Sequence, residues 1–267
     1  MPHIAGLYYE EHGPAHGPPL ILSAGLGGSA SYWAPNLSAL AESHRVVLYD
    51  HRGTGRSDRD LPFNLSVEDM AADVLALMDG LGIGTATLVG HAAGGAIGLS
   101  LALAAPDRLD RLVVVNGFAK PDSHFLRCFD TRLALLRDCG VRAFLHAQPI
   151  FLYPARWISE NEARLGAEEA QQLEHFQGAP NIEARIAALV AFDVGSRLAE
   201  IRTPTLLIAA DDDMLVPASC SEALAEGLPG AKLAMMTGGH ACTVTQSARF
   251  NHLLRDWLGH ARLKGAA

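Results

Sequence analysis

Ala86-Thr87-Leu88-Val89-Gly90-His91-Ala92-Ala93-Gly94-Gly95 is the stretch on which the reading of this chain turns. A short apolar run with β-branched residues gives way to small residues and then to an Ala/Leu pattern over 96–105, which predicts a buried strand turning sharply into a helix. The spacing is that of a nucleophile elbow. In such a turn the central residue is held in a strained conformation above the sheet, and glycines two positions to either side leave it room. Gly90 and Gly94 supply that room, but the centre is Ala92, which has no oxygen or sulfur to attack with. The frame of an acyl-transfer site is present without its nucleophile.

Working outward, short apolar runs recur with helical segments between them. Pro19-Leu20-Ile21-Leu22-Ser23-Ala24 predicts a strand covered on both faces and runs into Gly25-Leu26-Gly27-Gly28-Ser29. A second strand is expected over 45–50, followed by Ser66 as N-cap of a helix whose apolar positions recur through 70–81. Beyond the elbow helix, 110–117 predicts another strand. Strand signals then stop over 118–197, where Arg/Leu/Ala patterns are divided by prolines and glycines. Alternation resumes with a strand over 203–210, a helix over 218–228, a strand over 231–236 and a closing helix over 247–263. The fold class is therefore α/β, a mostly parallel sheet flanked by helices with an inserted helical cap. The expected organisation is a core over 1–117, the cap over 118–197 and the rest of the core over 198–267.

Composition narrows the partners. A chain of 267 residues, 49% hydrophobic, can bury one large α/β core. Its net charge of −8 opposes attraction to nucleic acid or an anionic membrane, so a small-molecule substrate is the expected partner. No apolar run approaches a membrane span and Met1-Pro2-His3 is too polar for a signal sequence, so a cytoplasmic location is expected. Cys128, Cys139, Cys220 and Cys242 stand far apart, which suggests neither a metal site nor disulfides, and no cofactor motif is read. A homodimer is compatible with the sequence, but no feature carries it.

Two further signals follow predicted strands. Asp211-Asp212-Asp213 precedes Met214-Leu215-Val216-Pro217, and Thr237-Gly238-Gly239 precedes His240. A carboxylate on one imidazole nitrogen fixes the tautomer and frees the other nitrogen to take a proton. Asp213 is assigned as that carboxylate and His240 as the base, with Asp211 and Asp212 remaining open alternatives. Backbone N–H groups of Ala93 and Leu26 are the expected oxyanion donors. Cys242 is a weaker substitute nucleophile because it sits on the wrong loop. Arg52 is expected to brace the sheet through Asp50 or Asp58. In the cap, Gln148, Tyr153 and Trp157 are candidate pocket residues, although packing of the cap on the sheet is the stronger explanation for most such residues.

The 25–29 loop, the 50–57 segment, the Gly90-to-Gly94 elbow, the 213–217 loop and His240 together resemble the α/β-hydrolase family, whose triads follow the chain order elbow, acid, histidine. Residues 25–33, the Gly90-His91-Ala92 elbow, 148–157, 174–178 and Gly238-Gly239-His240-Ala241-Cys242 are similar to a narrower group of that family linked to uracil degradation. This resemblance implies a hydrolase of a small product of pyrimidine ring opening, carbamate or 3-aminoacrylate. It also implies that alanine at the elbow is the natural residue, so that His240 activates water directly. Two alternatives stand beside it: a binding pseudoenzyme that sequesters a labile intermediate, and a serine esterase or amidase whose serine has been replaced at position 92.

Overall fold

The computed structural model describes residues 2–260. Its strands are β1 (His3–Ile4), β2 (Leu7–His12), β3 (Pro19–Ser23), β4 (Arg45–Tyr49), β5 (Ala86–His91), β6 (Leu109–Val115), β7 (Thr205–Ala210) and β8 (Lys232–Met236). They form one eight-stranded sheet in the order β1-β2-β4-β3-β5-β6-β7-β8. β2 is antiparallel to β1 and β4, and β3 to β8 are parallel. Every residue of β5 and β7 is buried, as the continuous apolar runs require of strands covered on both faces.

The helices are α1 (Ala34–Ala41), α2 (Val67–Gly80), α3 (Ala93–Ala104), α4 (Ser123–Ala134), α5 (Val141–Leu152), α6 (Ala155–Glu160), α7 (Glu162–Glu174), α8 (Ala179–Ala191), α9 (Ala218–Gly227), α10 (Cys242–Thr245) and α11 (Ser247–His260). One core layer joins α2, α3 and α9 to the sheet, and the other joins α1 and α11 to its opposite face. Ser66 caps α2 reciprocally: its Oγ accepts from the Asp69 N–H at 3.1 Å, and its own N–H donates to Asp69 Oδ2 at 2.9 Å. The expected closing helix is seen to His260, and its 261–263 end lies outside the described residues. Among the described residues no helix is long and apolar enough to cross a membrane.

Between β6 and β7 the described chain contains α4 to α8 and no strand. Arg185 of α8 ties this section to the core. It is 1% exposed and donates to the carbonyls of Leu26 and Arg52, each at 3.2 Å, and to His51 Nδ1 at 2.8 Å. The expected Arg52 brace includes Asp58, but its shorter pair is with a residue the sequence did not suggest. Arg52 pairs with Asp73 of α2 at 2.7 Å and reaches Asp58 only at 3.9 Å, while Asp50 is held by Arg56 at 2.8 Å. Asp73 lies in the same β4-to-β5 connection, 21 residues further on, beyond the reach of local spacing.

Candidate active site

Strand order locates the site. From β3 the chain moves outward to β4, then returns to place β5 on the other side of β3. The loops leaving β3 and β5 therefore diverge and open a crevice at the carboxyl edge of the sheet. The β3 loop closes by a Gly28 N–H to Gly25 carbonyl bond of 2.9 Å. The β5 loop is the elbow, with Ala92 at φ 49° and ψ −105°. That left-handed conformation in a non-glycine residue costs about 1–3 kcal/mol. Close packing enforces the flanking glycines: a Cβ on Gly90 would strike the Gly94 carbonyl, and one on Gly94 would strike the Ser23 carbonyl.

The two loops meet over Ala92. A Cβ built on Gly25 would stand 3.8 Å from Ala92 Cβ, so Leu26 is next to the elbow in space. Ala93 opens α3, where backbone N–H groups and the positive end of the helix dipole face outward along the axis. The expected pair of oxyanion donors thus belongs to two adjoining loops.

Asp213 follows β7 and His240 follows β8, and the fold brings them together. Asp213 Oδ2 accepts from His240 Nδ1 at 2.8 Å, while Oδ1 accepts from the N–H groups of Leu215 at 2.7 Å and Val216 at 2.9 Å. The carboxylate is locked by these bonds, and the imidazole proton on Nδ1 leaves the Nε2 lone pair available as a base. Asp212 does different work, accepting from the N–H groups of Gly238 and Gly239 at 2.8 Å each. Gly238 and Gly239 sit at φ 120° and 71°, so glycines here allow the sharp turn that delivers His240. Asp211 is exposed and meets the β8 end through its backbone N–H.

Two residues without a role in the sequence reading hold this loop from beneath. Asn116, at φ 48°, donates from Nδ2 to the His240 carbonyl at 2.7 Å and accepts from the Ala210 N–H at 2.8 Å. His91 Nε2 donates to the same carbonyl at 2.8 Å, and its ring stacks on Tyr32 at 4.7 Å. Burial, with His240 beside it, keeps the His91 ring well below the usual imidazole range and therefore neutral. The sequence signals were an Asn just past a strand end, where left-handed backbone is tolerated, and a polar residue before the elbow centre.

Cys242 is fully buried 3.5 Å from Asn116 Nδ2, and burial, then the nearby Asp213 charge, pushes its thiol up to about 12. Burial and a raised thiol both oppose the thiolate that a cysteine nucleophile needs. Of the expected pocket residues, Gln148 and Tyr153 line a cleft of about 20 Å³ between α5 and α7, room for about one water, and Gln148 donates to Gln172 at 3.2 Å. Trp157 lies outside that cleft and stacks on Tyr153 at 4.3 Å.

A strained elbow at the switch point, with an acid–histidine couple from the ends of β7 and β8, defines a class. The chain belongs to the α/β-hydrolase family: residues 18–139 match the model described as "alpha/beta hydrolase fold". Over 258 residues the chain is 55% identical to "Putative carbamate hydrolase RutD" of Caulobacter sp. (strain K31), covering 96% of each chain. It is 51% identical over 261 residues to the protein of the same name from Variovorax paradoxus (strain S110), covering 97% of this chain and 98% of that one. Among solved structures it is similar to the enol-lactonase from Burkholderia xenovorans LB400, with a TM-score of 0.88 and 26% identity over 96% of this chain and 98% of that one.

Proposed function

We propose that the chain hydrolyses a small product of uracil breakdown, carbamate or 3-aminoacrylate, releasing ammonia by direct attack of water. The observation that carries this reading is the pairing of a complete, buried Asp213–His240 couple with an elbow that keeps its strained turn around Ala92. The 55% identity to a protein named for carbamate hydrolysis supports the substrate class.

In the proposed step His240 Nε2 takes a proton from water as its oxygen bonds to the carbon of carbamate. The N–H groups of Ala93 and Leu26 receive the developing oxyanion. Asp213 stays ionised and holds the imidazolium. Collapse breaks the C–N bond, and the proton on Nε2 passes to the departing nitrogen, so that carbamate and water give ammonia and bicarbonate. With 3-aminoacrylate, the water oxygen bonds instead to the amine-bearing carbon as the C2–C3 π electrons pass to C2, which takes the proton from His240 Nε2. The carbinolamine then gives its O–H proton to the amine as the C–N bond breaks, leaving ammonia and the aldehyde. A positioned base contributes about 10²- to 10⁴-fold, sufficient for substrates that already decompose in water. The test is ammonia release from each compound, corrected for spontaneous decay. Release above background with one of them is expected; saturable binding with no excess release from either contradicts the proposal and favours a binding protein.

A further inference from the structure

Two arginines from the helices between β6 and β7 are buried, and neither forms an ion pair among the described residues: Arg185 at 1% and Arg132 at 3% exposure. Arg185 is satisfied by neutral acceptors at each of its three donor groups. Arg132 is not. Its one hydrogen bond among the described residues is a long 3.4 Å contact from Nη2 to Gln148 Oε1, and its buried Nε has no partner. The rings of Phe129, Phe144 and Phe151 surround the guanidinium at 5.1, 5.3 and 5.7 Å. Aromatic faces offset part of the cost of burying a cation, but they satisfy no N–H group. Burial draws the guanidinium down to about 10, which still leaves it charged at neutral pH.

The position of this charge relates it to the active site. Arg132 lies on α4, whose His124 and Cys128, both on the same side of the helix, reach the carbonyl of Met214 at 2.9 and 3.5 Å, next to Asp213. Gln148 and Phe151 lie on α5, whose last carbonyl, Leu152, accepts from the Ala241 N–H at 2.9 Å, next to His240. The guanidinium therefore occupies the wedge between two helices that stand on the two loops of the catalytic couple.

We infer that Arg132 is the anion anchor of the site, receiving the carboxylate of a substrate whose reacting carbon extends toward His240. This rests on the hydrolase reading above and narrows it. A guanidinium matches a carboxylate with paired N–H donors, and the weak Gln148 contact is readily exchanged for it. Arg132 stands on α4 and His240 follows β8, so in the proposed pose the carboxylate and the reacting carbon occupy separate positions. In carbamate the carboxylate carbon is itself the reacting carbon, whereas in 3-aminoacrylate the carboxylate and the amine-bearing carbon are separate. The anchor therefore favours the three-carbon acid.

The test uses propionate as an unreactive three-carbon carboxylate and propionamide as its neutral counterpart, titrated against wild type, Arg132→Met and Arg132→Lys, each checked for folding by circular dichroism. The expectation is that Arg132→Met weakens propionate binding about 10- to 100-fold, that Arg132→Lys recovers part of it, and that propionamide is unaffected. Should the Met variant fail to fold, the Lys variant and the preference of wild type for propionate over propionamide carry the comparison. Equal propionate binding by wild type and Arg132→Met, or no preference for propionate in wild type, overturns the anchor. The 3-aminoacrylate KM separates the two readings. His240-dependent turnover with an unchanged KM in Arg132→Met leaves the hydrolase standing without the anchor. Arg132-dependent propionate binding without any turnover leaves the anchor standing without the hydrolase.

Discussion

The acid–base arm of the site and the elbow arm stand in contrast. Asp213 and His240 form a fully bonded couple, with the carboxylate held by two backbone N–H groups and the imidazole at 2.8 Å. The elbow displays only a methyl group, yet Ala92 adopts φ 49°. Strain of about 1–3 kcal/mol is not maintained to present a methyl group. What the turn still positions is backbone: the Ala93 N–H at the start of α3, beside the loop of Leu26. The difference teaches that an elbow can serve two separable ends, presenting a nucleophile and placing oxyanion donors, and on the proposed mechanism only the second is used here.

The comparison can be broken first at the acid–base arm. Replacing Asp213 by Asn should lower background-corrected turnover by about 10³- to 10⁴-fold, because the amide no longer fixes the Nδ1–H tautomer of His240. Steady-state ammonia release measures it, and a loss below tenfold would mean that the couple is structural. Arg185→Leu comes next in size. It strips partners from His51 Nδ1 and from the Leu26 and Arg52 carbonyls, and should destabilise the fold by roughly 2–4 kcal/mol in urea unfolding. Unchanged stability would show that α8 does not secure the Leu26 loop. Ser66→Ala touches neither arm. It removes the α2 capping box and should cost about 1 kcal/mol while leaving turnover alone. The smallest energetic effect, within about 0.5 kcal/mol, is expected for Ala92→Ser. Its value lies in chemistry: intact-mass analysis with an activated acetyl ester should show a +42 Da acyl adduct (about one acetyl group, the mass expected of nucleophilic acyl transfer) in the variant and none in wild type.

Much of this architecture was legible in local patterns. The strand preceding the elbow, the glycine spacing around Ala92 and the Ser66 cap depend on neighbours within a few residues, and each is seen where the sequence puts it. The loops of Asp213 and His240 were legible through chain order and strand ends, and Asp213 was assigned there, although setting aside Asp212 needed the turn that sends it to Gly238 and Gly239. Illegible were tertiary pairings: Arg52 with Asp73, Asn116 and His91 with the His240 carbonyl, and Arg185 with Leu26. Each joins segments far apart in the chain, and a side chain's type does not reveal which distant carbonyl it will meet. Arg132 was hidden for a related reason, since an arginine in a helix reads as a solvated charge until packing surrounds it with Phe129, Phe144 and Phe151.

The central claim is that His240 activates water without a covalent nucleophile. Its most direct test is background-corrected ammonia release from 3-aminoacrylate and carbamate by wild type beside His240→Ala. A rate above background that falls by about 10²-fold or more in the variant is the predicted result. A wild-type rate that survives the loss of His240 unchanged would contradict it.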